Sequence, residues 1–151
     1  MYLTIVRNTN QETIIHFDAV DTSSETIDIS DLAADTQERN TDTPLVNIAR
    51  FITTGEDGSS VTVVRDGKNI IACAPENAPF LDFTAMGIGE AQKNDQNIVI
   101  YNNADSAVTG YITLRKIAGY STKVETATYG AYDDETRVGA STTLSGSPDK
   151  V

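Results

Sequence analysis

Val61-Thr62-Val63-Val64-Arg65 and Lys68-Asn69-Ile70-Ile71-Ala72-Cys73-Ala74 are two β-branched, apolar runs joined by Asp66-Gly67. A two-residue type I′ turn needs positive φ at both central positions, and Asp-Gly supplies this at low steric cost. The segment predicts a β-hairpin with strands over 61–65 and 68–74.

The same signals recur on both sides of it. Upstream, Gly55-Glu56-Asp57-Gly58-Ser59-Ser60 reads as a turn. Leu45, Val46, Ile48, Phe51 and Ile52 before it predict a strand buried on both faces. Pro44 closes a stretch, 35–43, that contains no apolar residue and reads as a solvated loop. Residues 2–7 and 12–20 form a second predicted hairpin. Leu3, Ile5, Ile15, Phe17 and Ala19 face one side, with His16 and Asp18 on the other. Residues 25–29 predict a short strand, followed by one helical turn over 30–34 capped by Ser30 or Asp31.

Downstream, residues 97–101 and 108–117 predict two more strands. Ile112 and Leu114 face in, and Thr113 and Arg115 face out. Between the hairpin and these strands, residues 75–96 carry Phe80, Leu81, Phe83, Met86 and Ile88 among Pro75, Pro79, Gly87 and Gly89. Such a segment is too apolar for a free linker, so it is expected to pack across an open end of the core. Strands at short, regular spacing with no long helical pattern predict an all-β fold: an antiparallel β-sandwich or jelly-roll-like barrel.

The pattern changes after Gly119. Residues 120–151 are rich in Thr, Ser, Gly and Asp, with Tyr120, Tyr129, Tyr132 and Leu144 spaced along them. This divides the chain into a sandwich domain, 1–119, and an extended C-terminal arm, 120–151. Ordering a chain costs about 1–2 kcal/mol per residue. The arm is therefore either disordered or ordered against a neighbouring subunit, with tyrosines as anchors.

Composition narrows the function classes. The 151 residues include 22 Asp and Glu against 11 Lys and Arg, a net charge of −11. Such a chain repels phosphate, so neither nucleic acid nor an anionic membrane is an expected partner. No run of 18 apolar residues is present to span a bilayer, and the first residues lack a signal-peptide pattern. With Cys73 alone, an intrachain disulfide is impossible.

Catalytic constellations are weak. His16 and Asp18 share a strand face without a G-x-S-x-G motif to complete a triad. Cys73 sits in an apolar run and reads as a small buried hydrophobe. Gly87-Ile88-Gly89 is followed by Gln92 where a dinucleotide fingerprint needs glycine, and Gly67-Lys68 lacks the upstream glycine of a P-loop. Glu56-Asp57 and Asp133-Asp134-Glu135 read as solvated charge, with a calcium site assembled from several loops left open. No cofactor and no enzymatic activity are expected.

Two further groups of residues carry a family resemblance. One is Asp95-Gln96-Asn97-Ile98-Val99-Ile100 followed by Gly110-Tyr111-Ile112-Thr113-Leu114-Arg115-Lys116-Ile117-Ala118-Gly119-Tyr120. The other is Val46-Asn47-Ile48-Ala49-Arg50, a short Gly/Ser turn, then Val61-Thr62-Val63-Val64-Arg65. Together these resemble small virion structural proteins of tailed bacteriophages, notably those of aquatic bacteria, over residues 2–120. The resemblance implies a non-enzymatic subunit that decorates or cements the capsid exterior after assembly in the host cytoplasm. Its partners would be the major capsid protein and neighbouring copies of itself, as a homo-oligomer. The expected contacts are Tyr120, Tyr129, Tyr132 and Leu144 in the arm, and Phe80, Leu81 and Phe83 in the loop. The loop's other reading is a lid on the protein's own core. Rival functions are a tail or neck component of the virion, a glycan-binding β-sandwich, and a hydrolase built on Asp133 and Asp134.

Overall fold

The computed structural model describes residues 1–84 and 93–123. Eleven strands run through them. They are β1 (Tyr2–Asn8), β2 (Glu12–Ala19), β3 (Ser23–Ile27), β4 (Gln37–Arg39), β5 (Leu45–Gly55), β6 (Val61–Arg65), β7 (Lys68–Cys73), β8 (Phe80–Asp82), β9 (Ile98–Asn102), β10 (Val108–Ala118) and β11 (Tyr120–Thr122).

The pairing is that of one long antiparallel ribbon, rolled up. Its tip is the β6–β7 hairpin, where Asp66 has φ 52° and Gly67 φ 72°. The next rungs back from the tip are β5 with β8, β3 with β9, and β2 with β10. Rolling brings β5 onto β10 and β6 onto β9. Two sheets result, in the orders β1-β2-β10-β5-β8 and β3-β9-β6-β7. This is the eight-strand jelly roll, with β1 added at one edge and a small β4–β11 ribbon beside it.

The inner faces of the two sheets form one core. Ile15, Phe17, Val46, Ile48, Phe51, Ile112 and Leu114 come from the first sheet. Ile27, Val61, Val63, Ile71, Ile98 and Ile100 come from the second. Phe17 and Phe51 stack at its centre, with ring centroids 5.5 Å apart. Gly110 faces the same space. A Cβ there would lie 2.5 Å from Phe17 Cζ and 2.4 Å from the Ile52 carbonyl oxygen, so only glycine fits.

Several expectations shift in detail. β5 does not bury both faces. Its register against β10 slips between Ile48 and Arg50, and this bulge keeps Val46, Ile48 and Phe51 on the core side while Arg50, Ile52 and Thr54 face out. The short strand ends at Ile27, and Ile29–Asp31 forms a 3-10 turn. Its cap is Asp28, whose carboxylate accepts from Ser30 N at 3.0 Å. The loop predicted over 35–43 contains β4, in which Gln37 is buried through hydrogen bonds rather than apolar contact. Ordered pairing also runs past the expected boundary at 119: Tyr120, Ser121 and Thr122 pair with Arg39, Glu38 and Gln37.

Candidate interaction surface

The outer face of the five-stranded sheet carries an apolar band laid down by strand register. Tyr111 lies opposite His16 on one side and Ile52 on the other, and Ile52 lies opposite Phe80. Phe80 is 57% exposed, Tyr111 46% and Ile52 40%. With Val6, Ile14 and Thr113 they line a shallow groove of about 400 Å³. Polar groups border it. Arg50 pairs with Glu12 at 3.4 Å, and the His16 ring tilts against Tyr111 at 5.0 Å while bonding Thr109 Oγ1 at 2.9 Å. An apolar centre with a polar rim is the anatomy of a protein docking surface.

The expected contact residues separate into distinct environments. Phe80 is on this outer band. Leu81 pairs with Phe51 and, like Phe83, packs against the core. The loop opens with a 3-10 turn, Pro75–Asn77, and then forms edge strand β8, held by Thr53 N donating to Pro79 O and Phe83 N donating to Ala49 O. Tyr120 is half-buried and donates its hydroxyl to the Ile29 carbonyl, and burial pushes its pKa up to about 12. Tyr129, Tyr132 and Leu144 lie outside the described residues, as do Met86, Ile88, Gly87-Ile88-Gly89 and Asp133-Asp134-Glu135.

Two cations, half-buried Lys116 and buried Arg65, are not marked by the sequence pattern. Lys116 Nζ donates to Asn8 Oδ1 at 2.8 Å, Thr9 O at 2.8 Å and Gln37 Oε1 at 2.7 Å, and lies 5.2 Å from the Tyr120 ring centroid. All three acceptors are neutral, and desolvation pushes its pKa down to about 8. Arg65 is 1% exposed, and its guanidinium donates to Gln96 O at 2.9 Å and Asn94 O at 2.8 Å. Alternation correctly marks both positions as strand. Nothing in the pattern marks which inward or edge position takes a charge that crosses to a distant loop.

Cys73 is partly buried, and desolvation raises its thiol pKa. Among the described residues no group of three or more His, Cys, Asp or Glu is placed to hold a metal, and no helix is long and apolar enough to cross a membrane. No family model, curated protein or solved structure matches the chain.

Proposed function

We propose that this chain is a structural subunit of a phage virion, a decoration or cement protein that binds the major capsid protein and neighbouring copies of itself. The observation that carries this reading is the Tyr111–Ile52–Phe80 band, exposed on the outside of a sheet whose inner face packs the core. Jelly rolls serve in viral capsids and in lectins alike, so the fold supports the reading without deciding it. A net charge of −11 suits a subunit that stays apart from its copies until specific contacts form. The outer band docks on the shell. The chain beyond Lys123, with Tyr129, Tyr132 and Leu144, is the second fastener.

The test is co-sedimentation with capsid shells that lack this chain. Wild type pellets with the shells, and Ile52→Asp with Tyr111→Ser stays in the supernatant. A tail or neck subunit would instead bind purified tails and ignore shells. A glycan-binding module is a second reading, favoured by the exposed Tyr111 ring beside His16 and Arg50. A glycan array with a hit lost in Tyr111→Ala supports that reading.

A further inference from the structure

The four-stranded sheet has an outer face of a different kind. Its register lays two rows across all four strands. Ser24, Tyr101, Thr62 and Ala72 form one row. Thr26, Val99, Val64 and Asn69 form the other. Val61, Val63, Ile98 and Ile100 are buried, so alternation turns Thr62, Val64, Val99 and Tyr101 outward. β7 carries one extra residue, Ile70, and this bulge leaves Asn69 and Ala72 on the same side, both exposed. Tyr101, near the middle of the face, is 38% exposed.

All eight positions are uncharged, in a chain of net charge −11. The outer face of the five-stranded sheet, in contrast, carries Asp18 and the Arg50–Glu12 pair. Any charge on a self-paired face is repeated across the interface, because both partners present the same patch. A charge-free face is therefore where two acidic copies meet with least repulsion.

The edges of the sheet set the orientation. Residues 20–28, which include β3, contain Asp21, Glu25 and Asp28 and no Lys or Arg. Residues 67–75, which include β7, contain Lys68 and no carboxylate. Register runs from Lys68 through Arg65 and Ile98 to Ile27, the residue before Asp28. Asp28 and Lys68 thus stand at opposite corners of one end of the sheet, both exposed. Hydrogen bonds from Ser30, with a smaller contribution from Arg39, hold the Asp28 carboxyl below the usual range. A two-fold axis parallel to the strands lays β3 of one copy over β7 of the other. Each corner aspartate then meets a lysine, and the contact occurs twice.

We propose that two copies of this chain pair face to face through the outer side of the four-stranded sheet, with Asp28 of each beside Lys68 of the other. Aligned packing of two sheets is an ordinary geometry. Strand and residue spacings give the two rows a footprint of roughly 300 Å². That is well below the roughly 800 Å² per partner of a standard interface, so the pair is weak and reversible. The inference deepens the part of the proposed function in which copies touch one another, and rests on that reading only for the use of the pair.

The experiment is analytical ultracentrifugation of the purified full-length chain from about 10 μM to 1 mM, the range in which so small an interface assembles. The weight-average mass should rise from one chain toward two. Val64→Glu should abolish the rise. Lys68→Glu and Asp28→Lys should each weaken pairing about tenfold, because each places like charges at both corners. An equal mixture of these two variants should recover it, since both corners of a mixed pair are then opposite in charge. Circular dichroism checks that each variant is folded, and Glu25→Lys takes the place of Asp28→Lys if loss of the Ser30 contact disturbs the turn. Ile52→Asp with Tyr111→Ser should pair as wild type does. A single-chain mass at every concentration overturns the proposal. So do pairing that survives Val64→Glu, pairing lost in Ile52→Asp with Tyr111→Ser, and a mixture that fails to recover. A chain that stays single but loses shell binding in Val64→Glu also overturns it, and assigns the face to the shell instead. Pairing is read without shells, so its failure is distinguishable from failure of the virion reading.

Discussion

Lys116 Nζ reaches Gln37 Oε1 at 2.7 Å across 79 positions of sequence. The contact joins the end of β10 to the β4–β11 ribbon. Asn8 extends the same network by donating from Nδ2 to the Leu32 and Ala33 carbonyls at 3.2 and 3.3 Å. Polar bonds thus tie these segments together beside the buried side chains of Ile29 and Leu32. An ammonium with three neutral acceptors has every N–H satisfied but no carboxylate to offset its desolvation.

That arrangement predicts a pH dependence with a definite sign. The folded chain releases the Lys116 proton near pH 8, whereas the unfolded chain holds it to the ordinary value of 10.5. Between these values the unfolded state binds more protons, so raising pH favours folding through this group. Cys73 and Tyr120 have raised values and act in the opposite sense above about pH 9 and 10. Urea midpoints in a Cys73→Ser background at pH 7 and 9.5 should therefore rise for Lys116 relative to Lys116→Met. A constant difference between the two would remove the desolvated ammonium from the account.

Gly110→Ala should destabilise the fold by about 1–3 kcal/mol, the usual range for overpacking a filled core. The added Cβ meets the Ile52 carbonyl as well as the Phe17 ring, and the backbone oxygen cannot swing aside. Thermal unfolding measures this, and an unchanged Tm would mean the sheet yields there.

Phe51→Ala should cost about 3–5 kcal/mol, because it empties one half of the stacked pair at the centre of the core. Chemical denaturation reads the loss.

Gly67→Ala should cost about 1–2 kcal/mol, since φ 72° is strained for any residue with a Cβ. Gly67 has open space around it, so the cost is backbone strain without a clash. Circular dichroism melts of this variant beside Gly110→Ala separate the two causes.

Much of this fold is legible in the sequence. Asp66-Gly67 between β-branched runs fixes the tip of the rolled ribbon, and the alternation of Ile15, Phe17 and Ala19 identifies the inward face of β2. What stays hidden is long-range pairing. β4 has no apolar residue to announce it and is held by Gln37 bonding Asn10 O and Ala34 N. The bulge in β5 makes a one-sided strand look two-sided, because it shifts the alternation so that Val46 and Ile48 before it and Phe51 after it all reach the core. Phe80 stands out as apolar, but its place beside Ile52 and Tyr111 depends on three strands distant in sequence. The outer band is therefore a product of register, and only one of its members was singled out as a contact by reading along the chain.

The most direct measurement for the whole account is electron cryomicroscopy of capsid shells incubated with the purified chain. The account predicts added density at regular positions on the shell exterior, with the Tyr111–Ile52–Phe80 face turned toward the major capsid protein. Bare shells at saturating concentration, or density in which that face points to solvent, would contradict it.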